Sequence, residues 1–181
     1  MPTYGNKLLG APGQTTNEGR YSIGVTLASD EYPNKVVLTN SGGTITNRMQ
    51  ADNGYICYVY ISDTNGNNMR DICSHTFYDN GSGWGPSGTV NANLTNLTGK
   101  SLAVGFRAPG GICDMWNACT LTIYTTYNTY TITITNHTGG TVTASATSGI
   151  RAGATITLYR TASTGYQFSS WGASVTVNSS N

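Results

Sequence analysis

The sequence predicts an all-β protein: an antiparallel β-sandwich followed by a small second β domain. Three observations carry this. Apolar residues alternate with period two, as in Tyr21-Ser-Ile-Gly-Val-Thr-Leu27, and show no stripe at helical spacing. Strand-like runs are separated by Gly, Asn, Asp and Pro turn signals roughly every ten residues, the rhythm of a sandwich. Thr, Ser, Asn, Gly and Tyr fill a chain in which only 9% of residues are charged, against roughly a quarter in an ordinary globular protein.

Residues 1–19 are rich in Gly, Pro, Asn and Thr and lack periodicity. They are expected to form an extended N-terminal arm, either a loose tail or a strap docked on a neighbouring subunit. The sandwich is expected over 20–126. Its first strand presents Tyr21, Ile23, Val25 and Leu27 on one face. Lys35-Val-Val-Leu-Thr39 follows, then the Ser41-Gly-Gly43 turn. Gly54-Tyr-Ile-Cys-Tyr-Val-Tyr-Ile61 is the strongest strand, because it holds aromatic and β-branched residues and no helix former. Asp63-Thr-Asn-Gly-Asn67 turns the chain into a return strand over Asp71–Tyr78. Strands over Thr89–Leu97, Lys100–Arg107 and Cys119–Thr126 complete the set. If Cys113 lies opposite Cys119, Leu102, Val104 and Phe106 share a hairpin with Leu121 and Ile123. Strict alternation then puts the two sets on opposite faces, and a bulge at Pro109-Gly110-Gly111 restores the match. The junction Thr125-Thr-Tyr-Asn-Thr129 has no Pro or Gly and predicts a stiff connection.

The last third reads strand, Gly139-Gly140 turn, strand, Ala152-Gly153 turn, strand, then Gly165-Tyr-Gln-Phe-Ser-Ser-Trp171. Its GGTVT, AGATITL and GYQFSSW elements occur together. In these elements the stretch 127–181 resembles the divergent internalin-type B-repeat, a small β-grasp-like module of bacterial surface proteins that also occurs in bacteriophage virion proteins. The resemblance implies a spacer or adhesive appendage, not a catalyst, and it implies that Trp171 is core. Such repeats continue past a segment like Ser174-Val-Thr-Val-Asn178 into a further edge strand. The domain is therefore expected either to be short of its last strand and to take one from a neighbour, or to be trimmed. An open sheet edge is a template for another chain.

The charge balance of +1, without a basic run, argues against a nucleic-acid partner. No apolar segment is long enough to insert in a membrane. The first residues lack the apolar core of a signal peptide. Either the protein is made in the cytosol, as phage structural proteins are, or the chain is an excised piece.

The four cysteines, Cys57, Cys73, Cys113 and Cys119, are disulfide candidates. Local pairing, 57 with 73 and 113 with 119, is the simplest of the three arrangements. No C-x-x-C spacing occurs, and neither His75 nor His137 has a ligand set nearby, so no metal site is expected. Trp84, in a Gly-rich loop, and Trp116, in the Cys113–Cys119 loop, are binding candidates. Each would stack on a sugar or anchor a subunit contact, or else fold back over its own sandwich end. Asp63-x-Asn65-x-Asn67 has its glycine in the wrong place for a calcium loop and reads as a hairpin turn. The Asn-x-Ser/Thr triplets at Asn93, Asn96, Asn136 and Asn178 are ascribed to composition. No carboxylate pair, nucleophile elbow or phosphate loop appears. Cys73 and His75 share a strand face without making a nucleophile. No catalytic residue and no cofactor are expected.

With the resemblance, these readings imply a non-enzymatic bacteriophage virion structural protein: a capsid decoration, head-fibre or tail-appendage subunit on the virion surface. Its expected partners are other virion subunits or itself as a homo-oligomer, with cell-surface carbohydrate as candidate ligand. The alternative is a fragment of a secreted or cell-surface bacterial adhesin or carbohydrate-binding module.

Overall fold

A computed structural model of the chain describes residues 3–9, 14–16, 18–40, 48–51, 56–76, 82–84, 87–107, 113–115, 119–171 and 177–180. It divides into two compact units, Met1–Thr126 and Tyr127–Asn181.

The first unit contains β1 (Thr3–Leu9), β2 (Gln14–Thr16), β3 (Glu18–Thr26), β4 (Glu31–Asn40), β5 (Arg48–Ala51) and β6 (Ile56–Asp63). These are followed by β7 (Arg70–Thr76), β8 (Ser82–Trp84), β9 (Gly88–Asn91), β10 (Ser101–Arg107), β11 (Cys113–Met115) and β12 (Cys119–Tyr127). The strands form three sheets, with orders β1-β12-β4-β9, β3-β10-β6-β7 and β2-β11-β5-β8. The first two sheets face one another. Val36, Leu38, Val90, Leu121 and Ile123 from one sheet and Ile23, Val59, Ile61, Leu102, Val104 and Phe106 from the other form a single buried core. Period-two alternation builds it: along β3 and the residue after it, Ile23 and Leu27 are buried while Ser22, Gly24 and Thr26 face solvent.

Counting only the eight strands of these two sheets in chain order, one sheet holds the first, eighth, third and sixth. The other holds the second, seventh, fourth and fifth. This interleaving is the double Greek key of a jelly roll. Four of the six crossings between the two sheets contribute one strand each to the third sheet: β2 lies between β1 and β3, β5 between β4 and β6, β8 between β7 and β9, and β11 between β10 and β12. The third sheet therefore gathers at one end of the sandwich. At the opposite end, the connection after β9 makes a short 3-10 turn at Thr95–Leu97 and buries Leu97 completely. There the buried Glu31 carboxylate accepts hydrogen bonds from the Thr125 hydroxyl at 2.5 Å and from the Ala28 N–H at 3.1 Å.

Two sequence-based expectations need correction. The N-terminal segment is not an irregular arm over its described residues, which form strands. β1 pairs with β12 of its own chain, from Thr3↔Tyr124 to Leu9↔Cys119, and β2 pairs with β11. Backbone hydrogen bonding, which needs no side-chain periodicity, holds these residues. Nor do β10 and β12 form a hairpin. They belong to facing sheets, so Leu102, Val104 and Phe106 meet Leu121 and Ile123 across the core, and no bulge between them is required. The hairpin of β6 and β7 forms as expected, with Cys57↔His75 and Val59↔Cys73 in register. The strand expected over 89–97 ends at Asn91.

The second unit contains β13 (Thr129–Ile132), β14 (Gly140–Ala144), β15 (Ile150–Arg151), β16 (Leu158–Ala162) and β17 (Val177–Ser180). β13 lies between β15 and β17, and β14 pairs antiparallel with β16 from Gly140↔Ala162 to Ala144↔Leu158. Among residues 127–171 only Ile150 is buried. Among the described residues of the whole chain, no helix is long and apolar enough to cross a membrane.

Candidate functional site

The second unit carries the most chemically distinctive surface. All eight carboxylates of the chain precede residue 127, and the stretch 127–181 has Arg151, Arg160 and His137 but no Asp, Glu or Lys. Both arginines lie on aromatic faces. Arg151 Cζ is 3.5 Å from the Tyr127 ring centroid, and Arg160 Cζ is 3.7 Å from that of Phe168. Phe168 in turn packs against Trp171, with centroids 5.0 Å apart and planes tilted by 59°. A guanidinium on a ring face gains about 0.5–1 kcal/mol at an exposed position. It also loses rotamer freedom, so its N–H edge is held in place.

Beside this stack lies an open groove of about 310 Å³. One wall is the turn 137–140, the other the segment 166–170, and Val142, Arg160 and Ala162 form the floor. Local hydrogen bonds fix both walls. The Asn136 side-chain oxygen accepts the Val142 N–H at 2.6 Å, and the Gly139 carbonyl accepts the Ser163 N–H at 2.9 Å. Gly139 has φ +103°, and a Cβ there would come within 2.6 Å of the Tyr166 ring. The Tyr166 ring thus rests on bare backbone. Tyr166 remains 57% exposed and lines the groove.

Trp171 is not core: it is 50% exposed and serves as the backing of Phe168. The aromatic residues of the GYQFSSW element therefore support a surface stack instead of filling an interior. Sequence reasoning missed Arg160, Tyr166 and Phe168 as a group. The available signal was the absence of acids after residue 126 beside an Arg six residues before a Tyr-x-Phe.

The residues singled out from sequence lie elsewhere. Cys57 is fully buried and disulfide-bonded, whereas Cys73 keeps its thiol. The Cys57–Cys73 bridge is thus not made. In the observed register these residues are diagonal neighbours, roughly 7–8 Å apart and beyond the usual reach of a disulfide. Cys113 and Cys119 begin β11 and β12, and their side chains lie outside the described residues. The sequence leaves these two as partners for Cys57, and a bridge to either is incompatible with a Cys113–Cys119 loop. Trp84 ends β8, with its backbone in the third sheet opposite Arg48; its side chain, and all of Trp116, lie outside the described residues. The Asp63 loop is a hairpin turn whose Oδ1 accepts the Asn65 and Asn67 N–H groups, each at 2.9 Å. Burial favours the protonated Asp63 carboxyl. The Asn67 and Asn65 N–H groups, the Asn68 side chain and the Lys100 charge outweigh this and hold its pKa below the ordinary value. No group of three or more His, Cys, Asp or Glu among the described residues is placed to hold a metal ion.

No curated protein and no solved structure matches the chain. A family model, the divergent InlB B-repeat domain, matches residues 130–181. The second unit is thus similar to the B-repeat family that its three sequence elements resemble, a family that points to a bacterial surface-associated module.

Proposed function

We propose that this chain is a non-enzymatic structural subunit of a bacteriophage virion, a capsid decoration, head-fibre or tail-appendage protein. In this reading the sandwich holds the particle and the repeat unit is adhesive, with host-surface glycan as ligand. The observation that carries the proposal is the coupling of a jelly-roll strand order to a B-repeat-like unit. Jelly rolls recur in viral capsid and lectin domains, although fold alone does not fix function. Low charge density, 9% of residues, suits a subunit packed among copies of itself or other virion proteins, because it removes long-range repulsion.

The B-repeat match by itself favours a second reading: a fragment of a secreted or cell-surface bacterial adhesin or carbohydrate-binding module. Location separates the two. Antibody against this chain, applied to gradient-purified particles and to washed cell walls, should decorate particles at regular sites. Labelling confined to the cell wall or the secreted fraction would refute the virion assignment and favour the second reading.

A further inference from the structure

We propose that the groove between the 137–140 turn and the 166–170 segment binds an anionic saccharide, with Arg160 holding a carboxylate or sulfate and Tyr166 stacking on the sugar ring. This deepens the adhesive reading above and rests on it. Three independent observations converge. The first is charge: Arg160 belongs to a stretch without an acidic side chain, so no side chain of its own unit offers an ion-pair partner. A fixed cation of this kind is open to an anion from outside the unit.

The second observation is preorganisation. Phe168 holds the flat face of the Arg160 guanidinium, and Trp171 backs Phe168. Stacking uses the face and leaves the N–H edge, whose geometry matches the two oxygens of a carboxylate or sulfate. The third is the exposed Tyr166 ring on the same groove, seated on Gly139. An exposed ring face beside hydroxyl- and amide-bearing residues such as Thr138 and Gln167 presents the amphipathic surface that sugars have: apolar C–H faces and polar rims. A peptide carboxylate would use Arg160 but not the ring platform, and a neutral sugar would use the ring but not the arginine.

The test uses the full chain, labelled with nitrogen-15 and followed by amide chemical shifts. The probes are a hyaluronan tetrasaccharide (carboxylate only), a desulfated and carboxyl-reduced chondroitin tetrasaccharide (neutral), its sulfated but carboxyl-reduced form, and sodium sulfate. Both charged sugars, or one of them, should shift amides within 137–142 and 160–168, and binding should weaken as salt is raised. Arg160→Gln should weaken charged-sugar binding about tenfold or more and leave binding of the neutral sugar unchanged. Arg160→Lys should fall between the two, since it keeps the charge and loses the fork. Tyr166→Ala should weaken every sugar and leave binding of free sulfate alone. Dispersed spectra of each variant establish that it is folded.

The proposal is overturned if the neutral tetrasaccharide binds as well as the charged ones, if Arg160→Gln binds them like the parent chain, or if no saccharide moves these amides. Retention of the Arg160→Gln protein on a mucin-coated surface at the parent level would reject this groove while leaving an adhesive function standing. Loss of retention by the parent chain itself would reject the adhesive reading as well.

Discussion

Gly105 occupies the middle of β10, between β3 and β6, and its cross-strand partner is Tyr60. Tyr60 is fully buried, and its ring covers the glycine: a Cβ at position 105 would lie 2.6 Å from Tyr60 Cε2 and closer still to Cζ and the hydroxyl. Gly105→Ala therefore requires the ring to move by about 1 Å in an interior packed like an organic crystal. Overpacking of this kind costs about 1–3 kcal/mol. A position enclosed on both sides by neighbouring strands belongs near the upper end. The lower entropy of the unfolded alanine chain returns about 0.4–1 kcal/mol. The net expectation is a loss of about 2 kcal/mol, or roughly 6–10 °C in melting temperature for a unit of this size. Urea unfolding of the full chain, read by near-ultraviolet circular dichroism, measures it. A second background makes the test specific. Tyr60→Ala alone should cost about 3–5 kcal/mol through the cavity it leaves. Adding Gly105→Ala to it should then cost less than about 0.5 kcal/mol, because the clashing ring is gone. Equal costs of Gly105→Ala in both backgrounds, or no cost in the parent, would refute the ring-over-glycine account.

Two further outcomes are expected. The Asp63 carboxyl has a depressed pKa in the folded chain, so the stability it contributes is present above its unfolded value of about 3.9 and disappears as pH falls through the lower folded value. Asp63→Ala should remove that acid-sensitive part and cost about 1–3 kcal/mol at neutral pH, which paired urea titrations from about pH 7 into strong acid would show as midpoints that converge as pH falls through the lowered folded value. Non-reducing peptide mapping should find the Cys57 peptide linked to that of Cys113 or Cys119, with Cys73 alkylatable, and reduction should destabilise the sandwich by about 2–5 kcal/mol; a Cys57–Cys73 peptide would contradict the observed register.

Local information was legible wherever one face of a strand is buried. The alternation at Tyr21–Leu27, the run ending at Ile61 and the Asp63–Asn67 turn each foretold their element, because side-chain period and turn chemistry act within a few residues. The N-terminal strands were not legible in this way. β1 lies at a sheet edge and β2 at the edge of the third sheet, where backbone pairing suffices and side chains carry little pattern.

By itself the sequence determined the all-β class, the change of character near residue 127 and the B-repeat resemblance of the final segment. Those properties reside in short-range periodicity and in contiguous elements such as GGTVT and GYQFSSW. Tertiary structure alone decided which strands became neighbours. Leu102 and Leu121 have the same pattern whether their strands pair in one sheet or face each other across a core, and only the crossing of the chain between sheets separates the two. It likewise decided that Cys57 lies diagonal to Cys73, and that Trp171 backs Phe168 under Arg160 instead of filling an interior. The physical reason is common to all three. Residue type fixes what a side chain can bury or bind, whereas its partner is fixed by where distant segments of the chain bring their own side chains.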